Sequence, residues 1–212
     1  MINIKIFEFN PVVENTYLLY DETKEAVLVD CGCINPNEER ILSDFIDQNE
    51  LILKRLLCTH LHFDHVIGNG FIFKKYGIRP EAHQKEVEIL PPIEEQARSM
   101  GLPYSIETVE ITKYLHGNET ISFGESQLMT LYVPGHSPGS LAFYSAKDGF
   151  AIVGDALFNG SIGRTDLWGG NYDVLIASIK DKILTLPDET IVYPGHGPST
   201  TVINEKLNNP FF

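Results

Sequence analysis

The feature that most constrains this chain is a dense group of ligand-type side chains, His60, His62, Asp64 and His65. The group follows an apolar run at residues 53–58, whose pattern predicts a short buried strand. If the segment is locally extended, the first two imidazoles point to the same side, because side chains alternate along an extended backbone. Both can then bind one metal ion, while the Asp-His pair at the turn can bind a second.

Three later segments repeat this arrangement, since His136, Asp155 and His196 each follow a strand-like apolar run. Glycine and proline flank both histidines, as tight turns that present a side chain require. Strand ends at one edge of a sheet are where α/β proteins build sites, so one shared site is expected. Imidazole and carboxylate suit zinc, ferrous iron or manganese, and Asp155 is the candidate for the carboxylate that bridges two ions.

Each residue alone has a plainer interpretation. A single loop histidine is usually a surface residue, and Asp64 could instead cap a helix predicted at residues 66–76. The spacing of four ligand-type residues, together with three further strand-end segments, favours the metal site over these alternatives.

The rest of the pattern predicts strands that alternate with helices, and therefore sheets covered by helices. The predicted strands are residues 2–9, 16–20, 26–29, 53–58, 128–133, 140–144, 150–153 and 190–193, with a hairpin turn at 21–24. Asn35, Pro36 and Glu38 predict a helix start, followed by an apolar stripe of Ile41, Leu42, Phe45 and Ile46. A second helix is predicted at residues 172–186 from Ile176, Ile179, Ile183 and Leu186. Residues 85–114, which contain Pro91-Pro92 and Gly101-Leu102-Pro103, are predicted to be irregular.

Length and charge limit the function classes. The 212 residues predict a single domain over 1–212, and 16 Lys and Arg against 29 Asp and Glu give a formal charge of −13. That balance disfavours nucleic acid and anionic membranes as partners. The start does not resemble a signal peptide and no long apolar run occurs, so a cytoplasmic protein is expected.

The three cysteines, Cys31, Cys33 and Cys58, cannot form a disulfide framework. Cys31 and Cys33 are small turn residues or lie near the site.

The ordered His-x-His-x-Asp-His, His, Asp and His segments resemble the metallo-β-lactamase-fold hydrolases over nearly the whole chain. Residues 154–158, 160–166 and 169–171 resemble the glyoxalase II-type branch, in its short bacterial form without the C-terminal helical domain. The resemblance implies an α/β fold, the four-layer αβ/βα sandwich, in which two mixed β-sheets are flanked by helices.

The resemblance also implies a division of the ligands. The first metal is held by His60, His62 and His136, the second by Asp64, His65 and His196, and Asp155 bridges them. Spacing and resemblance agree on these residues. They imply two divalent ions, with zinc favoured and iron or manganese as alternatives. The implied reaction is hydrolysis of a small-molecule thioester, similar to hydroxyacylglutathione, by a bridging hydroxide, with Asp64 and Asp155 as the catalytic carboxylates.

Substrate recognition is less defined. Arg164 occupies the place where glyoxalase II enzymes meet a substrate carboxylate, but it could equally form an ion pair with Asp166. Trp168, Asn171 and Tyr172 are further candidates for contacts with the substrate. Because the chain is acidic and lacks the helical domain, the thiol carrier could be a small molecule other than glutathione. Asp30 is expected to orient a ligand or the backbone rather than to bind metal.

Several alternatives stay open. A mononuclear iron persulfide dioxygenase would use residues equivalent to His60, His136 and Asp155. A non-catalytic metal-binding protein of the same fold is a second alternative. A true β-lactamase, an RNA-processing nuclease and a flavodiiron oxygen reductase are disfavoured by the ligand pattern, the acidic charge and the absence of a flavin domain, respectively. The oligomeric state is not predicted.

Overall fold

The computed structural model describes residues 1–101 and 106–212. Its strands are β1 (Asn3–Phe9), β2 (Glu14–Tyr20), β3 (Glu25–Val29), β4 (Ile52–Leu57), β5 (Pro80–His83), β6 (Lys113–Leu115), β7 (Thr120–Phe123), β8 (Ser126–Tyr132), β9 (Leu141–Ser145), β10 (Phe150–Gly154), β11 (Leu157–Phe158), β12 (Ser161–Ile162), β13 (Ile191–Pro194) and β14 (Thr200–Thr201). Its helices are α1 (Pro36–Gln48), α2 (Phe63–Val66), α3 (Asn69–Tyr76), α4 (Gln84–Ile89), α5 (Ile93–Ser99), α6 (Tyr172–Ser178) and α7 (Val202–Asn208). All eight predicted strands are present, with boundaries shifted by at most two residues.

Two six-stranded sheets contain most of the strands. The first has the order β1-β2-β3-β4-β5-β6, and the second has the order β14-β13-β10-β9-β8-β7. Both are mixed, since β3 and β4 pair in parallel in the first and β10 and β13 in the second, whereas the hairpin pair β2–β3 is antiparallel as predicted. The short pair β11–β12 was not predicted from the sequence.

The described residues divide into two compact units. The first comprises Met1–Ala82, Pro91–Tyr114 and Ser122–Ser126, and the second comprises His83–Leu90, Leu115–Ile121 and Gln127–Phe212. Each unit has its own apolar cluster around one of the large sheets. The prediction of a single domain over residues 1–212 stays a prediction.

Helix α1 starts where the sequence predicts. The Asn35 side chain accepts hydrogen bonds from the backbone N–H groups two and three residues later, at 3.0 and 3.1 Å, a cap worth about 1 kcal/mol. Leu42 and Ile46 are buried in the cluster of the first unit, and Phe45 packs against it. Ile41 is 45% exposed, so the predicted apolar stripe is wrong at that position, because the helix turns this residue towards solvent.

Helix α6 differs from the regular helix predicted over residues 172–186. After Ser178 the backbone widens into a π-helical segment, Ile179–Ile183, in which the N–H of Leu184 donates to the carbonyl of Ile179 at 2.9 Å. Leu175, Ile179 and Ile183 are fully buried in the second cluster, whereas Ile176 lies only partly buried. The three buried residues are spaced four apart and so lie on one side of the segment, a spacing that Ile176 does not share.

The middle of the chain is more regular than predicted, because α4 and α5 lie within it. Ala97 in α5 is buried with Phe63 and Ile106 in a small apolar cluster of the first unit, which gives this segment a packing reason to be helical. The predicted break at Leu102-Pro103 lies outside the described residues. None of the helices in the described part of the chain combines the length and apolar character of a membrane span.

Candidate metal centre

Four of the seven predicted ligands lie in the first unit, directly after β4. The ring centroids of His60 and His62 are 4.7 Å apart and those of His60 and His65 are 4.2 Å apart, so the three imidazoles are adjacent. Asp64 Oδ2 lies 3.8 Å from His65 Nε2. The three histidines are buried and Asp64 is mostly buried. The four ligand-type side chains that are close in sequence are therefore also close in space, in one cluster.

The plainer interpretation of Asp64 as a helix cap does not hold. Asp64 lies within the short helix α2, and the following helix α3 begins after Gly68 without a side-chain cap. The predicted helix over residues 66–76 is thus two helices, and neither is capped by Asp64.

Hydrogen bonds fix the orientation of two of these imidazoles. Asp30 Oδ1 accepts from the backbone N–H of Thr59, and its Oδ2 accepts from the Thr59 hydroxyl, both at 2.7 Å. The same Oδ2 is 2.9 Å from His65 Nδ1, which donates to it. The Thr59 hydroxyl gives its proton to Asp30, so its oxygen accepts from His60 Nδ1 at 2.9 Å. Asp30 thus fixes the orientation of the His65 ring, and the expectation that it orients a metal ligand stays a prediction.

A second buried acid, Glu14, lies behind His65 and was not predicted. Its Oε1 is 3.9 Å from His65 Nδ1, and its Oε2 accepts from the Thr16 hydroxyl at 2.7 Å. Burial raises the pKa of Glu14 well above its ordinary value, while the nearby imidazole opposes this shift. An acid at the start of a strand carries no motif, so only the fold reveals its place.

The other three predicted ligands lie in the second unit, after β8, β10 and β13. Asp155 Oδ2 is 3.7 Å from His136 Nε2 and 3.6 Å from His196 Nε2. Two atoms bound to one zinc ion at about 2.0–2.2 Å lie roughly 3.4 Å apart in tetrahedral geometry. One carboxylate oxygen at this spacing from two imidazoles can share one ion with both of them or bridge two ions.

The loop that carries His136 is held by a buried carboxylate that the sequence did not reveal. Glu86 is 1% exposed, and its Oε1 accepts from the Ser137 hydroxyl at 2.7 Å and from the Gly139 N–H. The hydroxyls of Ser137 and Ser140 are 2.6 Å apart. These bonds fix the loop on both sides of Pro138. No motif surrounds Glu86, which lies in α4 about 50 residues before the loop.

A glycine is required beside Asp155. A Cβ on Gly163 would lie 1.8 Å from the Asp155 carbonyl oxygen, so any other residue would displace the backbone there. The next carbonyl along, that of Arg164, accepts a hydrogen bond from His136 Nδ1 at 2.8 Å. The segment that resembles the glyoxalase II-type branch thus contributes its backbone to the site.

The predicted substrate residues all lie in the second unit, but each has a local role or surface position. The Arg164 side chain makes two 2.7 Å hydrogen bonds to Asp166, which is the ion pair that the sequence left open, and these bonds lower the pKa of Asp166 to about 2. Asn171 caps α6 by accepting from the Val174 N–H. Tyr172 is 49% exposed and Trp168 is partly buried.

The donor atoms fit divalent metal ions. In His60, His65 and His136, Nδ1 donates to an oxygen, so the basic nitrogen is Nε2. Metal-binding histidines in proteins are held in this way, with the second nitrogen bonded to a carboxylate, carbonyl or other oxygen. The described residues therefore include clusters of histidine and aspartate able to hold metal.

Comparison with known proteins decides the family. The family model of the metallo-beta-lactamase superfamily matches residues 9–196. The chain belongs to this superfamily. It is therefore a metal-dependent hydrolase of the superfamily type, and the predicted metallo-β-lactamase fold with two large mixed sheets and flanking helices is confirmed.

Two curated relatives match this superfamily member over almost their full lengths. Probable metallo-hydrolase YqgX from Bacillus subtilis is 35% identical over 95% of this chain and 93% of its own. Hydroxyacylglutathione hydrolase GloC from Haemophilus influenzae is 34% identical over 99% of this chain and 98% of its own.

Two solved structures are similarly close. The crystal structure of BLEG-1 B3 metallo-beta-lactamase superposes with a TM-score of 0.88 at 36% identity, covering 99% of both chains. The crystal structure of TTHA1623 in a di-iron-bound form superposes with a TM-score of 0.87 at 34% identity, covering 98% of this chain and 100% of that one.

Proposed function

We propose that the protein is a dinuclear metal-dependent thioesterase of the hydroxyacylglutathione hydrolase type. The observation that carries the proposal is the position of Asp155 Oδ2, 3.6–3.7 Å from the Nε2 atoms of both His136 and His196. Seven ligand-type side chains exceed the three protein ligands that a catalytic zinc ion usually takes, so a shared carboxylate within this set favours two ions over one. The near full-length similarity to GloC supports the thioester as the substrate class.

In this proposal the seven side chains hold two ions. The first is bound by His60, His62 and His136, the second by Asp64, His65 and His196, and both by Asp155. Zinc is favoured because thioester hydrolysis needs no redox change and zinc readily accepts imidazole and carboxylate ligands. The di-iron form of TTHA1623 supports iron as the alternative, and manganese is compatible with the same ligands.

When bound, two such ions supply a nucleophile from water near neutral pH and polarise the carbonyl of the substrate. The chain's own residues provide the rest. Asp64 and Asp155 bring two negative charges and fix the orientation of the centre, while Asp30 and the Arg164 carbonyl hold Nδ1 of His65 and His136 so that each Nε2 keeps its direction. This arrangement is formed before any substrate arrives, which lowers the reorganisation that the reaction requires.

Substrate selection is proposed to involve the exposed loop of residues 164–172. Arg164 is half-exposed and paired with Asp166, so exchange of that partner for a substrate carboxylate would preserve a two-point contact. Trp168 and Tyr172 would offer aromatic surface beside it, while Asn171 holds the start of α6. The proposed partner is a small-molecule thioester, since the net charge of −13 disfavours nucleic acid and anionic membranes without excluding a small substrate.

A second candidate is hydrolysis of a β-lactam. This candidate is supported by the similarity to BLEG-1, whose structure is described as that of a B3 metallo-beta-lactamase. Both reactions attack a carbonyl carbon and place the same demand on the ligands, so only a direct comparison of substrates separates them.

The test combines metal quantitation with a panel of thioesters, lactones and β-lactams. The expected result is close to two metal equivalents per chain and hydrolysis of at least one thioester, with weaker or no turnover of the β-lactams. Turnover of β-lactams alone would replace the thioesterase by the second candidate. Oxygen uptake with a persulfide, without thioester hydrolysis, would instead indicate the mononuclear iron dioxygenase.

Asp155→Asn tests the bridging role. Loss of a ligand charge should lower metal content and reduce hydrolysis by more than about 100-fold, beyond the usual effect of changes next to a metal ligand. Asp181→Asn, at an exposed position of the π-helical segment, is the matched control and should leave both unchanged. Retention of two metals and full activity by Asp155→Asn would overturn the dinuclear proposal.

A further inference from the structure

Two thiols of the first unit have no part in the proposed hydrolysis. Cys31 and Cys33 are 0% and 2% exposed, and their sulfur atoms are 3.5 Å apart. Only Gly32 separates them in sequence, so no side chain lies between them along the backbone. Cys58, the third cysteine, is also buried, and its sulfur accepts a hydrogen bond from the Asn69 amide at 3.8 Å.

The two thiols pack closely against the segment that carries the first four proposed metal ligands. A Cβ on Gly68 would lie 2.5 Å from the Cys33 sulfur and 2.6 Å from the Cys31 sulfur, so both thiols contact the Gly68 backbone. The N–H of Cys31 donates to the His65 carbonyl at 2.7 Å, and the N–H of Gly68 donates to the Cys31 carbonyl at 2.9 Å. The thiol-bearing loop and the ligand segment are thus joined by backbone hydrogen bonds.

Cys33 is the thiol that a small molecule can approach. It lines a cavity of about 270 Å³ in the first unit, together with Gly70, Phe71, Lys74 and Glu107. Lys74 and Glu107 form an ion pair at this cavity. Cys31 is fully buried behind Cys33, so a molecule in the cavity reaches the Cys33 sulfur before that of Cys31. The order of attack is therefore Cys33 first and Cys31 second.

We propose that Cys31 and Cys33 form a reversible dithiol–disulfide site that reacts with low-molecular-weight disulfides, and that oxidation of this site weakens metal binding by the adjacent His60–His65 segment. The first half of this inference concerns the thiols alone. The second half rests on the proposed metal centre. A disulfide of this kind in a reducing compartment would be transient and regulatory.

The chemistry balances without a further reactant. The Cys33 thiolate attacks one sulfur of R–S–S–R, its S–S bond breaks, and R–S⁻ leaves and takes up the proton released by Cys33. Cys31 then attacks the Cys33 sulfur, releasing the second R–S⁻, which takes the proton from Cys31. Two protein thiols lose two electrons and form one disulfide, while one small disulfide gains them and becomes two R–SH molecules.

The coupling to metal follows from the movement that the bond requires. A disulfide needs its sulfurs about 2.05 Å apart, whereas these sulfurs are separated by 3.5 Å. Closing that gap displaces the backbone next to Asp30, whose carboxylate holds Thr59 and His65. Misplaced supporting hydrogen bonds typically cost about 10–100-fold in metal affinity, which sets the expected size of the effect.

The experiment treats the metal-loaded full-length protein with 2-hydroxyethyl disulfide, a neutral probe, and then denatures and alkylates it. We expect only the Cys58 thiol to remain alkylatable and the peptide with Cys31 and Cys33 to lose two hydrogens, with reversal by dithiothreitol. Cys31→Ala should trap a mixed disulfide on Cys33, whereas Cys33→Ala should leave Cys31 unmodified. Cys58→Ala is the matched control and should form the disulfide as the wild type does.

The metal readout is independent of hydrolysis. Transfer of metal to a chromophoric chelator should occur at 10–100-fold lower chelator concentration from the oxidised protein than from the reduced one. Persistence of all three thiols after treatment, or loss of Cys58 at the same rate as the pair, would overturn the dithiol site. A complete disulfide with unchanged metal transfer would overturn the coupling. If the protein binds metal but cleaves no thioester, the proposed function is refuted. Disulfide formation and metal transfer to the chelator can still be measured in that case, so this inference is tested separately.

Discussion

Asp30 shows how one side chain can organise several others. It is 1% exposed, has a positive φ of 59°, and accepts hydrogen bonds from both the backbone and hydroxyl of Thr59 and from His65 Nδ1. Aspartate and asparagine tolerate this left-handed backbone better than most residues. Its charge strengthens the bond to the imidazole, because charge-assisted hydrogen bonds are about twice as strong as neutral ones.

Asp30→Asn separates the effect of charge from that of shape. Asparagine fits the same backbone and nearly the same volume, but it has one fewer acceptor oxygen. We expect metal affinity to fall about 10–100-fold while the fold is retained, because the supporting bond to His65 is weakened. Competition with a chelator measures the affinity. Asp47→Asn, on the exposed surface of α1, serves as the control, and equal affinities for the two variants would contradict this role of Asp30.

Glu86 makes a similar contribution to the loop of His136. Glu86→Ala would leave the Ser137 hydroxyl and the Gly139 N–H buried without this acceptor, at a cost of about 2–4 kcal/mol in the free energy of unfolding. Glu86→Gln keeps an acceptor oxygen and should recover most of that loss. Denaturant unfolding at neutral pH measures both variants. The loop would not depend on Glu86 if the alanine variant were as stable as the glutamine variant.

At the scale of an element, the turn between β2 and β3 is held by Asp21. Its carboxylate accepts from the N–H and hydroxyl of Thr23 and, much farther along the chain, from the Glu125 N–H and the Ser126 hydroxyl, both at 2.8 Å. Burial alone would raise the pKa of Asp21, but these hydrogen bonds outweigh it and lower the pKa to about 2. The hairpin turn is therefore tied to a second turn within the same unit.

This shift predicts a pH dependence of stability. The pKa of Asp21 is lower in the folded protein than its usual 3.8, so its stabilising effect is complete above that value and is lost as pH falls towards about 2. The difference in unfolding free energy between wild type and Asp21→Asn should be up to about 2 kcal/mol at pH 6 and should shrink between pH 4 and pH 2. Urea unfolding across this range measures it. Asp44→Asn, exposed on α1, should give a small difference throughout, and a pH-independent Asp21→Asn difference would disprove the assignment.

The helices differ in how well their local sequence predicts them. Asn35-Pro36 predicted the start of α1 correctly because a helix cap is a local interaction. The helix predicted over residues 172–186 instead becomes π-helical at Ile179–Ile183. The side chains at both ends of this segment are buried in the second cluster, and this packing overrides the regular α-helical spacing. Segments such as α5 lack a strong local signal and are helical where they pack against distant residues, as Ala97 does with Phe63.

At the scale of the whole molecule, the two compact units are interleaved in sequence. The first unit takes residues 91–114 and 122–126, and the second takes 83–90 and 115–121, so neither unit is continuous along the chain. If one unit unfolds, the segments that link the separate stretches of the other unit lose their structure as well.

We expect the metal-loaded protein to unfold in a single cooperative transition, in agreement with the single domain predicted over residues 1–212. Differential scanning calorimetry should give equal calorimetric and van't Hoff enthalpies. Two separate transitions, or a calorimetric enthalpy well above the van't Hoff value, would show that the units unfold independently.

The sequence by itself determined which residues are candidate ligands and on which elements they lie. His60, His62, Asp64 and His65 are recognisable because their spacing and the preceding strand are local, and His136, Asp155 and His196 because turn residues surround them after strands. The tertiary structure alone decided which side chains support them. Glu14 next to His65, Glu86 under the His136 loop, and the 3.5 Å approach of two thiols involve no local motif. The physical reason is that a supporting hydrogen bond needs only a buried partner at the right distance, and chain folding can bring that partner from any point in the sequence.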